Sequence, residues 1–146
     1  MNAEERNERL VEHSPDAMIF ADCEGLIRVW NAAAERIFGF TRAQAIGASL
    51  DIIIPEALRD AHWQGYARAM EAGRTRHAGQ ALPTKALRAD GQVIYVELGF
   101  SVIVDASGAA AGALATARDI SARFQQERAR RKRLQELEQQ LAAQQR

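Results

Sequence analysis

The stretch VIYVELGFSVIVD, running from Val93 to Asp105, constrains this chain more than any other. Its alternation places Ile94, Val96, Leu98 and Phe100 on one face, the signature of a half-buried strand. Asp90-Gly91 precedes it and Ser107-Gly108 follows it, and both pairs carry hairpin-turn chemistry. The strand therefore needs antiparallel neighbours on both sides, predicted at Ala78 to Ala89 and at Ala110 to Asp119. Upstream, AMIFAD (Ala17 to Asp22) and GLIRVWN (Gly25 to Asn31) read as two more strands, with Cys23-Glu24 at the tip between them and Asp22 and Gly25 as turn residues. Helical segments separate the two sets. Asn31 caps AAAERIFGF, whose Ala33, Ile37 and Phe38 face inward, and Thr41 caps a further turn. A longer helix runs from Pro55 to about Ala72, with proline at its start and Gly73 just past its end. Two strands, several helices and three strands predict an α+β domain: one five-stranded antiparallel sheet with short helices on one face.

The two ends differ from this middle. Residues 1–13 read as a charged helix, with Leu10 and Val11 its only large apolar side chains beyond Met1, stopped by Ser14-Pro15-Asp16. Residues 14–119 form the predicted domain. From Ile120 to Arg146 glycine and proline vanish, and a helix is predicted. Ile120, Leu134 and Leu141 share one heptad series and Leu137 lies in a second, interrupted by Glu127 and Arg130. That seam is short, and it implies either a homodimer through a two-stranded coiled coil or a solvated helix. The basic run Arg128 to Arg133 is flanked by Glu127, Glu136 and Glu138, which reads as a solvated face and not as a nucleic-acid contact.

With 47% hydrophobic residues the chain can bury a core, and 19 basic against 19 acidic residues leave no net field to steer it onto nucleic acid. One cysteine, Cys23, excludes an internal disulfide framework and a cysteine-rich metal site. The charged N-terminus lacks a signal peptide's apolar region, and runs such as Ile52 to Ile54 are too short to span a bilayer. A cytoplasmic setting with no membrane contact is the expectation. Phosphate-loop, nucleophile-elbow and H-E-x-x-H patterns are missing, so catalysis is not expected.

An ordered set of motifs carries a family resemblance. It comprises Pro15-Asp16 before the first strand, Asp22 and Gly25 in the hairpin, Trp30-Asn31 entering a helix, and Phe38-Gly39-Phe40 followed by Ile46-Gly47. In the second half come Arg88-Ala89-Asp90-Gly91, an R-x-D-G turn, and Arg118-Asp119-Ile120-Ser121, where such domains hand over to a signalling helix. From about Glu12 to Arg123 the chain resembles a PAS domain. The resemblance implies a module that senses a ligand, light or redox state in an internal pocket and relays it through the C-terminal helix to a separate signalling partner or an output domain. A cofactor-free PAS module that serves protein–protein interaction is the alternative.

Two cofactor branches can be compared on residues. A covalent flavin photocycle needs a cysteine on the short helices facing the ring. AIGASLDIIIP has none and Cys23 sits on the hairpin side, so flavin is not expected. The segment Pro55 to Gly73 resembles, without gaps, the long helix of oxygen-sensing haem PAS domains of the FixL type. That resemblance implies haem b with His62 as the axial metal ligand and Arg68 near the propionates; Pro55-Glu56, Arg59, Met70 and Gly73 coincide as well. Read from spacing alone, Leu58, His62, Gly65 and Ala69 share one otherwise apolar helical face, and Gly65 leaves room beside the imidazole. A lone histidine there is equally a core residue. Where the haem family carries an oxygen-contacting arginine, this chain has Leu82. With Leu98 and Phe100 also facing that side, an apolar distal wall is expected, favouring CO or NO over oxygen. His77 is expected either to reach a propionate or metal or to be exposed.

Overall fold

The computed structural model describes residues 1–76 and 78–145. The elements follow in the order α1 (Ala3–Glu12), β1 (Ala17–Asp22), β2 (Ile27–Trp30), α2 (Ala32–Phe38), α3 (Arg42–Ala45), α4 (Arg59–Ala72), β3 (Ala81–Leu87), β4 (Val93–Val104), β5 (Ala110–Asp119) and α5 (Ser121–Gln144). The five strands form one antiparallel sheet in the order β2-β1-β5-β4-β3, the predicted α+β architecture. The alternation of β4 decides which face is covered. Ile94 and Val96 are buried, and so are Ala113 and Ala117 on β5 and Ala17, Ile19 and Ala21 on β1. Phe38, Ile37 and Leu50 close over them from the helical side, and Trp30 at the end of β2 joins the same cluster.

Asn31 ties the first half together. Its side-chain oxygen accepts from the backbone N–H of Ala34, capping α2, and from that of Met18 on β1. Its amide donates to the carbonyls of Val11 and Asp16. A side chain buried to 1% exposure thus has its donors and acceptor engaged, as a buried polar group must. At the end of α2, Gly39 adopts φ +82, and Arg88 from the β3–β4 turn donates to the carbonyl of Ile37.

The long helix is shorter than the sequence suggested. Ser49 caps a 3-10 turn at Leu50–Ile53, and after Pro55 a second one, Glu56–Leu58, precedes α4 proper. Pro55 is thus an N-cap of the tighter turn, not the first residue of an α-helix. β3 is likewise trimmed from the expected Ala78–Ala89. The root of α5 lies on the uncovered side of β4. Phe124 stacks on Tyr95 at 3.9 Å and 16°, the Tyr95 carbonyl accepts from the N–H of Ile120, and Arg123 pairs with Glu97 at 3.3 Å. Beyond that root the helix stands free, with Leu134, Leu137 and Leu141 exposed.

Candidate functional site

Between α4 with its two preceding 3-10 turns and the covered face of β3–β5 lies a cavity of about 470 Å³, within the ~300–1,000 Å³ usual for small-molecule sites. The helical wall is Leu50, Ile53, Ile54, Leu58, His62 and Gly65; the sheet wall is Leu82, Thr84, Ala86, Val96, Leu98, Phe100 and Ala115. Of the site residues expected from sequence, Leu58, His62, Gly65, Leu82, Leu98 and Phe100 are brought together here. Leu58 and Leu82 are 39% and 42% exposed, so they flank its mouth.

Arg68 is exposed and does not line the cavity itself, since six residues along a helix at about 100° each carry it some 240° around from His62. A propionate contact from there, at the solvated mouth of the pocket, stays an expectation. His77 lies outside the described residues. Met70 packs against the core and does not line the cavity.

His62 is the chemically unusual member. Its Nδ1 is buried and has no hydrogen-bond partner among the described residues. Burial holds the imidazole below its usual 6.5, opposed in part by the Asp51 carboxylate, so at neutral pH the ring is uncharged and has a lone pair to offer. An unpaired buried polar atom costs about 1–3 kcal/mol; sealed as it is, Nδ1 is not the nitrogen a ligand in the cavity would meet, and Nε2 is the one left to offer.

Trp63 and Tyr66 hold the helix that presents His62, a role sequence reasoning did not assign them. Trp63 Nε1 donates to Asp51 Oδ1 at 2.7 Å, and its indole lies over Gly25 at the hairpin. The buried Tyr66 hydroxyl donates to the carbonyls of Ala21 and Asp22, fixing α4 to the end of β1. Its pKa is pushed up to about 12, by burial first and then by nearby Cys23 and Asp22. Both rings pack on the imidazole, with centroids at 4.7 Å and 5.7 Å. No spacing rule reveals the ties to Asp51, Gly25 and the carbonyls of Ala21 and Asp22, because those partners are distant in the chain. Thr84 was also missed, although its alternation with Leu82 and Ala86 was visible.

A model of the PAS fold family matches residues 5–120. The chain belongs to the PAS family. Over 63 residues it is 40% identical to the sensor protein FixL of Bradyrhizobium diazoefficiens, a match covering 42% of this chain and 12% of that protein. Over 77 residues it is 31% identical to the oxygen sensor protein DosP of Escherichia coli, covering 53% and 10%. The chain therefore corresponds to about a tenth of each of these relatives. Among solved structures, a PAS domain from Colwellia psychrerythraea superposes with a TM-score of 0.72 at 22% identity, over 83% of this chain and 99% of that one. An RNA-binding light-oxygen-voltage receptor gives 0.69 at 18% identity, over 94% and 38%. At such identities these two structures establish the shared fold alone. Among the described residues, no helix of this PAS domain is long and apolar enough to cross a membrane, and no three His, Cys, Asp or Glu side chains cluster as a metal site.

Proposed function

We propose that this PAS domain is a gas-sensing module whose cavity holds haem b on His62, and that it signals through α5. The observation that carries the reading is the neutral imidazole of His62 lining an apolar cavity. A single histidine in apolar surroundings suits b-type haem, which would supply an iron centre that takes up small diatomic ligands. The similarity to FixL and DosP supports the same choice, since DosP is named an oxygen sensor. Gly65, on the same wall, leaves space beside the ring, and its missing side chain would find nothing within 4 Å.

The chain's own residues do the remaining work. Trp63 and Tyr66 fix the height and tilt of α4, while Leu98 and Phe100 exclude water from the sheet wall. The sheet wall carries no arginine, so dioxygen is held less firmly than a charged donor would hold it. Signal leaves through β4, whose covered face touches the cavity and whose other face carries Tyr95 and Glu97 against α5. The exposed leucines of α5 support pairing with a second copy, with output in a separate signalling protein or domain. Those leucines also favour a cofactor-free interaction module as the second reading. Haem reconstitution of the wild type beside His62→Ala separates the two: a sharp Soret band lost in the variant supports the sensor, and equal weak binding by both supports the alternative.

A further inference from the structure

We propose that Thr84 is the hydrogen-bond donor through which the cavity discriminates between small ligands, an inference that rests on the haem reading above. The register of β3 on β4 fixes its direction. Leu82, Thr84 and Ala86 lie opposite Leu98, Val96 and Ile94. Val96 is 1% exposed and Ile94 6%, so this alternate set turns towards the covered side. Thr84 is half-buried and lines the cavity, whereas Pro83 and Lys85 beside it are exposed.

Leu82, Ala86, Val96, Leu98, Phe100 and Ala115 of that wall have no polar side-chain atom, and Lys85 is the other polar residue the strands bring to it. The Thr84 hydroxyl makes no hydrogen bond among the described residues, and it is not sealed from solvent as His62 Nδ1 is. Other polar groups border the cavity as well. Thr75 and Gln80 do so from the segment between α4 and β3, Lys85 from an outward register position, and the Tyr66 hydroxyl is committed to two backbone carbonyls. On the strands that face His62, Thr84 is the hydroxyl at an inward register position.

A threonine hydroxyl rotates to donate or accept as its neighbour requires. In haem pockets, hydrogen-bond donors on the ligand side favour dioxygen, whereas carbon monoxide gains little from them. Thr84 thus supplies a neutral donor on a wall that sequence reading expected to be wholly apolar. One neutral hydrogen bond changes an equilibrium by about three- to tenfold, so dioxygen is the ligand it selects for.

The test uses the full chain reconstituted with haem and reduced, as wild type, Thr84→Val and Thr84→Ser. Dioxygen and carbon monoxide affinities are measured by equilibrium titration, and the C–O stretching band of the carbon monoxide complex by infrared spectroscopy. Valine keeps the shape and suits a strand. Thr84→Val should weaken dioxygen binding about three- to tenfold with carbon monoxide within twofold, and should move the C–O band. Serine should restore both readings. If valine disturbs the fold by circular dichroism, Thr84→Ala must give the same selective loss. An unchanged ratio of the two affinities, with haem bound in every variant, overturns the role of Thr84 and leaves the haem reading standing. A wild type with no Soret band overturns both.

Discussion

Gly25→Ala probes how the hairpin positions the helix that carries His62. Gly25 sits at φ +79, where a β-carbon is strained, and an added Cβ would lie 2.2 Å and 2.3 Å from Trp63 Cη2 and Cζ3. The indole cannot swing aside freely, because its Nε1 is bonded to Asp51 at 2.7 Å and its ring packs on His62 and Tyr66. The left-handed backbone costs about 1–2 kcal/mol, and forcing a methyl into a packed contact costs about 1–3 kcal/mol more. The expected loss is therefore about 2–5 kcal/mol, a large share of the ~5–15 kcal/mol typical of a domain. Gly91→Ala is the control: its φ is +84 but nothing lies within 4 Å of the added atom, so only the backbone part should appear. Urea denaturation followed by tryptophan fluorescence measures both. A midpoint for Gly25→Ala equal to that of Gly91→Ala would refute the idea that Trp63 clamps the hairpin to α4.

Three further outcomes are expected. Because the Tyr66 pKa is raised from 10.0 to about 12 on folding, the stability this group contributes is complete below pH 10 and declines as pH rises towards about 12; denaturation across that window should show a steeper loss for wild type than for Tyr66→Phe. Phe124→Ala removes the stack on Tyr95 and should speed amide exchange in the first turns of α5 at least tenfold while leaving β4 protected, and equal exchange in both proteins would rule out a latch there. Replacing Leu134, Leu137 and Leu141 together by alanine should shift sedimentation from dimer to monomer, and a monomeric wild type at high micromolar concentration would remove α5 as a pairing surface.

Period-two alternation and Asp-Gly or Ser-Gly turns made the sheet legible, because those signals are local and strong. The interrupted start of α4 was not legible: Pro55 fits a helix start and a 3-10 cap equally well, and the choice is made by packing. His62, Leu58 and Gly65 were found because a helical face repeats on a fixed period. Arg68 followed from likeness to relatives and not from helical phase, and it lies exposed, off the cavity wall. Trp63 and Tyr66 were unreadable because their partners, Asp51, Gly25 and the carbonyls of β1, converge only in three dimensions.

The haem reading stands on His62 being a metal ligand and not a buried core residue. The direct measurement is the absorption spectrum of the purified chain titrated with haem, with and without carbon monoxide, for wild type, His62→Ala and Arg68→Ala. The expected result is stoichiometric binding with a sharp Soret band that shifts on adding carbon monoxide, loss of most affinity in His62→Ala with the fold retained, and a smaller loss in Arg68→Ala, whose side chain is exposed. Weak binding that is the same in wild type and His62→Ala would contradict it.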